Sequence, residues 1–278
     1  EEDGSHHKRY DRFRDRIMFP IRNTKGQVIG FGGRVLDNGE PKYLNSPETP
    51  LFQKGSELYG LFEARQAIRE AGYALVTEGY MDVVALAQLG FPQAVATLGT
   101  ACTPIHVQKL LRQTDQVIFS FDGDKAGRRA ARRALEASLP HAGDNKVIKF
   151  LFLPSEHDPD SYIRELGSEA FEKQVQDAMP LSQFLLKEAV GDNDLGTPEG
   201  RARAQFDAKP LLQALPPSSL RLQIVRSLAQ ITESTPAEIE ALFELSQPIS
   251  HVRAPPPRTK RAAPQGLERQ IIRLLVAH

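Results

Sequence analysis

Acidic side chains follow two short apolar runs in the middle of this 278-residue sequence. Glu78 comes directly after residues 73–77, and Asp122 and Asp124 come directly after residues 116–121. Both runs have the length and the β-branched or aromatic content of buried strands, and a helical pattern begins after each. The carboxyl ends of the strands in an open parallel sheet lie along one edge. We therefore expect these carboxylates to converge although they are far apart in the chain.

A third acidic pair, Asp158 and Asp160, follows another apolar run, residues 146–153. Each aspartate alone has a structural alternative, because Asp-Gly is a turn signal and an aspartate before a helix is a common N-cap. Three acidic groups at three strand ends favour a metal site instead. Carboxylates packed together repel unless a cation neutralises them, and oxygen ligands suit a hard cation such as Mg²⁺. Asp82 lies one helical turn after Glu78 and is either a supporting acid or an ordinary surface residue.

Basic residues accompany these acids. Lys125 opens the helix after the aspartate pair, where a helix N-terminus already attracts anions, so a metal beside it indicates a site that handles phosphates. Arg34, Lys42 and Lys54 are spread through an earlier segment that is rich in proline, and Tyr43 follows Lys42. They are either solvated loop charges or cations and a stacking ring for a nucleic-acid strand.

Composition excludes several classes of protein. The 35 basic and 35 acidic residues give no net charge, so any nucleic-acid surface must be local. The single cysteine, Cys102, excludes a disulfide framework, fits a reducing cytosol, and has no partner set that would make it a nucleophile. No signal peptide or run of roughly 18 apolar residues is present. Because the sequence begins with a glutamate in a polar segment, we interpret it as part of a longer protein.

The pattern of elements predicts an α/β fold with a mostly parallel sheet flanked by helices. A β-rich hairpin, residues 17–31, precedes this sheet, and a helix is predicted over residues 56–71 with Gly72 as its stop. Three glycines in the hairpin region are either bends or a bulge, or points where a ligand approaches the backbone closely; they are Gly30, Gly32 and Gly33.

The second half of the chain is predicted to be largely helical. One helical stretch covers residues 161–186, and helix starts are predicted near Thr197, Ser218 and Thr235, where capping residues stand beside prolines. The predicted domains are an N-terminal segment 1–72, an acidic α/β domain 73–165, a helical subdomain 166–246, a basic proline-rich linker 247–264 and a terminal helix 265–278.

Several of these strings resemble a known family. Glu78-Gly79-Tyr80-Met81-Asp82-Val83, with the Asp-Gly-Asp and Asp-Pro-Asp motifs, resembles the TOPRIM domain of bacterial DnaG-type primases. Residues 16–21, 30–35 and 42–49 are similar to the end of the N-terminal core subdomain of that family. The resemblance extends from about Tyr10 to Leu245 and implies a TOPRIM-type sheet.

The resemblance implies a DNA-dependent RNA polymerase that synthesises short RNA primers from ribonucleoside triphosphates on single-stranded DNA. It also implies a monomer at the cytoplasmic replication fork of a bacterium, which contacts the replicative helicase through a domain that begins near residue 265. Ligands of one or two Mg²⁺ or Mn²⁺ ions are implied at Glu78, Asp122, Asp124, Asp158 and Asp160. Contacts with template and nucleotide are implied at Arg34, Lys42, Tyr43, Asn45 and Lys54.

Two departures and two alternatives accompany this resemblance. The zinc-binding module of the family is absent, so we expect no zinc, and the helicase-binding domain is represented only by its first helix. The leading alternative is a TOPRIM phosphodiesterase, a nuclease or a topoisomerase-like enzyme with the same acidic site. The other is a non-enzymatic nucleic-acid-binding module. A topoisomerase needs a nucleophilic tyrosine on another domain, whereas the tyrosines here lie in or next to the predicted core elements.

Overall fold

The computed structural model describes residues 11–36, 39–154 and 156–245, so the predicted linker and terminal helix lie outside the described residues. The strands are β1 (Arg16–Arg22), β2 (Val28–Val35), β3 (Tyr43–Asn45), β4 (Tyr73–Thr77), β5 (Ala94–Ala96), β6 (Gln116–Phe121), β7 (Val147–Phe152) and β8 (Met179–Pro180). The helices are α1 (Leu61–Ala71), α2 (Tyr80–Gln88), α3 (Pro104–Leu111), α4 (Lys125–Ser138), α5 (Pro159–Leu166), α6 (Ser168–Gln176), α7 (Leu181–Val190), α8 (Pro198–Ala214), α9 (Ser219–Ile231) and α10 (Pro236–Leu242). None of the helices described is long and apolar enough to span a membrane.

An antiparallel sheet of three strands, β1-β2-β3, forms the N-terminal part of the fold. The predicted hairpin is confirmed, and Asn23 stabilises its turn because its side-chain oxygen accepts hydrogen bonds from the backbone N–H groups of Lys25 (2.9 Å) and Gln27 (3.0 Å). Phe19 and Ile21 point from β1 into the core. This strand alternation leaves the opposite face of the sheet exposed.

The register between β1 and β2 shifts beside Gly30, from Ile21–Gly30 to Arg22–Val28, so the predicted bulge is present at that glycine. Packing explains why glycines stand in β2. A Cβ atom on Gly32 would lie 2.7 Å from the ring of Tyr80, and one on Gly30 would lie 3.1 Å from the ring of Phe52. These glycines therefore let aromatic rings of the protein itself reach the backbone of the sheet. The close approach comes from core packing, and neither a bend nor a ligand is needed to account for it.

Helix α1 begins five residues later than predicted, at Leu61 instead of Ser56. The N–H of Tyr59 donates to the carbonyl of Ala96 (2.9 Å), and the N–H of Ala96 donates back to Tyr59 (3.1 Å). This isolated antiparallel bridge extends the β5 side of the sheet, so residues near Tyr59 cannot be helical. The predicted stop is confirmed, because Gly72 has a positive φ of 78° and its N–H donates to Ile68.

A second sheet has the strand order β5-β4-β6-β7-β8, in which every pair is parallel except β7-β8. Helices cover both faces. Residues of α1, α3, α4 and α7 join one hydrophobic core, whereas residues of α2, α5 and α6 join a second core on the other face. The predicted α/β fold with a mostly parallel sheet is confirmed.

The helical stretch predicted over residues 161–186 is interrupted twice. Gly167 has a φ of 90° and separates α5 from α6, because few other residues adopt this conformation. The two-residue strand β8 then pairs with the edge of β7 before α7 begins. The predicted starts of α8, α9 and α10 are confirmed, since Thr197, Ser218 and Thr235 each accept a hydrogen bond from a backbone N–H in the first helical turn.

Candidate metal and nucleic-acid site

The acidic residues lie at a point where the direction of the chain connections changes. Strand β4 is followed by α2 on one face of the sheet, and its neighbour β6 is followed by α4 on the other face. A crevice forms at such a point beyond the carboxyl ends of the strands, and ligands of open α/β sheets bind there. Glu78 follows β4 by one residue, and Asp122 follows β6 by one residue. The predicted convergence therefore has a topological cause.

Local backbone structure positions the two aspartates after β6. Asp124 caps α4 because its Oδ1 atom accepts a hydrogen bond from the N–H of Gly127 at 2.7 Å. A Cβ atom on Gly127 would lie 2.1 Å from the carbonyl oxygen of Asp122, so only glycine allows the helix to fold back this closely. Asp124 is thus both a helix cap and a candidate ligand, with one carboxylate oxygen engaged in the cap.

Glu78 and Asp122 are exposed at the entrance of the crevice, and no described residue donates a hydrogen bond to either carboxylate. Partial desolvation raises the pKa of Glu78, and the charges of Asp122, Asp82 and Asp124 raise it further. Desolvation also raises the pKa of Asp122, followed by the charges of Asp124 and Asp158. These carboxylates repel one another, as expected of acids that await a cation.

Asp82 lies beside the same acidic group. Burial raises its pKa to about 6, with a further contribution from Asp122 and smaller ones from Asp158 and Asp160. Its Oδ2 atom accepts a hydrogen bond from the N–H of Gly79 at 3.1 Å, which fixes the first turn of α2. These surroundings favour the supporting-acid alternative for Asp82, which stays a prediction.

The third acidic pair is more firmly engaged by its own helix. Asp158 caps α5, and although burial raises its pKa, hydrogen bonds from the N–H (2.8 Å) and hydroxyl of Ser161 lower the pKa below its usual value. Asp160 pairs with Arg164 at 2.7 Å one turn later. Both aspartates still contribute to the raised pKa of Asp82, so their charges act on the acidic group. We call Glu78, Asp82, Asp122, Asp124 and Asp158 the acidic edge.

The donors of the acidic edge are all carboxylate oxygens, which suit Mg²⁺ or Mn²⁺ and not a soft metal. No three His, Cys, Asp or Glu side chains of the described ranges are already close enough together to hold a metal ion. The donor chemistry and the raised pKa values fit a divalent cation.

The basic residues predicted from the sequence lie on β2 (Arg34), directly before β3 (Lys42) and in the loop after β3 (Lys54). Arg34 and Lys42 both approach the ring of Tyr43, with the guanidinium carbon at 6.0 Å and the ammonium nitrogen at 5.9 Å from the ring centroid. The Nε atom of Arg34 is buried without a partner in the described part of the chain. We call Arg34, Lys42, Tyr43 and Lys54 the basic surface.

Asn45 and the buried Tyr80, to which the sequence analysis gave no role, connect the two regions. The side-chain nitrogen of Asn45 donates to the carbonyl of Leu98 at 2.9 Å, and its oxygen accepts a hydrogen bond from the hydroxyl of Tyr80. Tyr80 lies between Glu78 and Asp82 in sequence and packs against Phe19 and Tyr59. Asn45 therefore links β3 to the acidic edge, and its predicted contact with nucleotide stays a prediction.

The loop that carries Lys54 is fixed to α3 by His106, which is fully buried. The ring Nδ1 atom accepts a hydrogen bond from the N–H of Thr103 (3.2 Å), so Nε2–H donates to the carbonyl of Lys54 (2.9 Å). Burial, partly offset by this bond to Lys54, lowers the pKa of His106 and keeps the ring neutral. No periodicity in the sequence distinguishes this histidine from an ordinary core residue.

A cavity of about 290 Å³ lies between the two regions and is lined by Tyr43 and Asn45 on one side and by Glu78 and Asp82 on the other. Lys125, the remaining predicted residue, is exposed at the start of α4 immediately after Asp124. The fold thus brings carboxylates and an aromatic ring to one concave surface, and Arg34 and Lys42 approach that ring. Such a surface has the groups needed to hold a metal, a phosphate chain and a base.

Three family models match consecutive parts of the chain. Residues 2–65 match the DNA primase catalytic core, N-terminal domain, and residues 75–163 match the Toprim-like family. Residues 182–235 match the DnaB-helicase binding domain of primase. This last match covers α8, α9 and all but the first residue of α7, within the stretch that the sequence predicts to be a helical subdomain.

Curated DNA primases are similar to most of the chain. The DNA primase of Neisseria meningitidis serogroup A is 49% identical over 99% of the chain, which corresponds to 48% of that protein. The DNA primase of Escherichia coli K12 is 51% identical over 91% of the chain and 43% of that protein. The chain spans less than half the length of these relatives.

Solved structures of DNA primases are also similar to this chain. A DNA primase domain from Pseudomonas aeruginosa is 49% identical with a TM-score of 0.81, and the match covers 87% of this chain and 76% of that one. The DnaG primase catalytic domain bound to ssDNA is 52% identical with a TM-score of 0.78, over 82% and 73% of the two chains. A Toprim domain implies a divalent metal site. The shared fold and identity show that this chain belongs to the DnaG-type DNA primases and contains their Toprim-bearing catalytic core.

Proposed function

We propose that this chain catalyses metal-dependent nucleotidyl transfer, as the core of an RNA polymerase that makes short primers on single-stranded DNA. The observation that carries the proposal is the acidic edge, which lies at the switch point of the sheet. Its Glu78 and Asp82 line a cavity together with Tyr43 of the basic surface. Family membership and the relative described as bound to ssDNA support it. The substrates are ribonucleoside triphosphates and the product is an RNA primer.

Glu78, Asp122, Asp124, Asp158 and Asp160 would hold one or two divalent ions, which we propose to be Mg²⁺ or Mn²⁺. A bound ion would supply positive charge for the phosphates of the incoming nucleotide and for the attacking and leaving oxygens. The chain contributes orientation. Asp124 is fixed by its helix cap and Glu78 by the end of β4, so both carboxylates reach the crevice from rigid elements.

The basic surface holds the nucleic acid in this proposal. Lys42 and Lys54 neutralise phosphates of the template, and Tyr43 stacks on a base while Arg34 and Lys42 stay over its ring. Lys125 takes a phosphate of the nucleotide at the start of α4, where the helix N-terminus adds its own attraction. Asn45 positions Tyr43 and the nucleotide by keeping β3 attached to Leu98 and Tyr80.

The partners beyond the substrates are proposals as well. We propose that the replicative helicase binds the helical part of the chain, supported by the match of residues 182–235 to a DnaB-helicase binding domain. The predicted contact through residues 265–278 lies outside the described residues. We further propose a monomer without zinc that acts at the replication fork in the bacterial cytoplasm, as its bacterial relatives suggest.

Incorporation of labelled ribonucleotides on single-stranded DNA, in Mg²⁺ or Mn²⁺, tests the proposal with wild type and Asp122→Asn side by side. The substitution removes a ligand charge at nearly constant volume, so the fold stays intact while incorporation is lost. Equal incorporation by both proteins would remove Asp122 from the site. Metal-dependent strand scission without incorporation would identify a phosphodiesterase instead.

A further inference from the structure

A second cavity of about 420 Å³ opens on the α4 side of Glu78. Its walls are the carboxyl ends of β4 and β6, the loop 97–102 after β5, and one face of α4. Glu78, Thr97 and Gly99 line this cavity and also the smaller one beside Tyr43, so the two cavities adjoin at the end of β4. The position at the switch point is where open α/β sheets bind ligands.

Two arginines give this cavity a positive wall. Arg129 and Arg133 are four residues apart on α4, so they are neighbours on one helical face, and both line the cavity. Neither forms an ion pair or a hydrogen bond with another described residue, whereas Arg132 between them pairs with Glu136 and Glu188. Two free guanidinium groups beside a cavity attract an anion, because each can bind a phosphate through two N–H groups.

The rest of the lining suits the organic part of a nucleotide. Phe119, Phe121 and Val76 form an apolar floor, and these three side chains are almost fully buried. Thr97 and Thr100 add hydroxyl groups beside this floor. An apolar surface with a few polar groups is typical of small-molecule sites, and the volume lies within the usual range of roughly 300–1,000 Å³ for them.

We propose that this cavity binds a small molecule carrying a diphosphate group, with Arg129 and Arg133 each taking one phosphate. The diphosphate has two possible sources: inorganic pyrophosphate released by nucleotidyl transfer, and a ribonucleoside diphosphate that binds on its own. Binding requires neither a template nor the metal held at Asp122. The pyrophosphate source rests on the proposed function, whereas binding at the cavity can be tested without catalysis.

The test is calorimetric titration of the wild-type chain with ADP and with pyrophosphate, in EDTA and without DNA. ADP is suitable because it has the diphosphate and cannot be polymerised. We expect both probes to bind, and the double variant Arg129→Gln, Arg133→Gln to weaken binding at least tenfold. Arg112→Gln removes the same charge from an exposed position outside the cavity and should leave binding unchanged. Both cavity arginines are exposed, so the double variant should unfold at the wild-type urea concentration.

Equal affinity of the double variant and wild type, or no binding by wild type, would overturn the proposal. Asp122→Asn separates this site from the metal site: retained ADP binding supports a distinct cavity, and lost binding would place the ligand on the acidic edge and overturn it. The two sources differ in relative affinity. Tighter binding of pyrophosphate identifies the released product, and tighter binding of ADP identifies a nucleotide ligand.

Discussion

The acidic edge and the basic surface both reach the cavity between Tyr43 and Glu78, but different physical causes position them. Each acid of the edge follows a strand or opens a helix, so its place is set within a few residues of its own backbone. The basic surface depends on distant contacts, since Asn45 bonds to Leu98 53 residues away and His106 bonds to Lys54 52 residues away. Carboxylates of the acidic edge can therefore be substituted without unfolding the chain. The position of the basic surface, in contrast, depends on hydrogen bonds of two uncharged side chains, Asn45 and His106.

We expect the largest effect on stability at Gly127, where the acidic edge depends on close packing of the backbone. Gly127→Ala places a methyl group 2.1 Å from the carbonyl oxygen of Asp122. The carbonyl group of Asp122 cannot move away without distorting the backbone, so we expect a loss of about 3 kcal/mol in the free energy of unfolding. Urea unfolding measures this loss. Gly143→Ala is the control, since its nearest neighbour lies at 4.0 Å and we expect a change within about 0.5 kcal/mol. Equal stability of the two variants would contradict the close approach.

The next prediction removes the hydrogen bonds by which His106 holds the loop of the basic surface. His106→Ala removes both hydrogen bonds of the ring and leaves the buried carbonyl of Lys54 without its partner. We expect unfolding to become easier by about 1–3 kcal/mol. Affinity for single-stranded DNA should also fall in the folded protein, because the loop with Lys54 is released from α3. The partly exposed His141 provides the control His141→Ala. Wild-type DNA affinity in folded His106→Ala would show that the histidine is only a core residue.

A smaller effect concerns the charges of the basic surface themselves. Lys42→Ala and Lys54→Ala should each weaken single-stranded DNA binding and reduce the slope of log K against log salt by roughly 0.7, since each phosphate contact releases counterions. Fluorescence anisotropy at several salt concentrations measures the slope. The exposed Lys173 on α6 supplies the matched change Lys173→Ala, which should leave the slope as it is. An unaltered slope in all three variants would show that Lys42 and Lys54 are ordinary solvated charges.

The smallest effect is a pH dependence of the metal-free protein. The pKa of Asp82 is raised from 3.8 to about 6 in the fold, so the folded chain binds a proton more tightly than the unfolded chain. The free energy of unfolding should therefore fall as the pH rises from about 4 to about 6. Asp82→Asn should flatten this fall, and the exposed Asp192→Asn should not. Urea unfolding in EDTA at several pH values tests both, and identical curves for Asp82→Asn and wild type would contradict the clustering of Asp82.

The acidic edge could be predicted from the sequence because strand ends are local features. Apolar runs before Glu78 and Asp122 predict parallel strands, and parallel strands carry their ends to one side. The start of α1 could not be predicted, since a bridge between Tyr59 and Ala96 overrides the helical pattern. Neither could the roles of Tyr80 and His106, because their partners are set by tertiary contacts that leave no periodic signal.

Direct titration with Mn²⁺ tests the central claim, that the carboxylates of the acidic edge form one divalent-metal site. Calorimetry at neutral pH would compare wild type, Asp122→Asn and the surface control Asp192→Asn. We predict that Asp122→Asn weakens Mn²⁺ binding at least about tenfold. Substitution of residues that only hydrogen-bond to metal ligands already lowers metal affinity by about 10–100-fold. Asp192→Asn should bind like wild type. Equal Mn²⁺ affinity in all three proteins would show that the carboxylates after β4 and β6 do not share a metal.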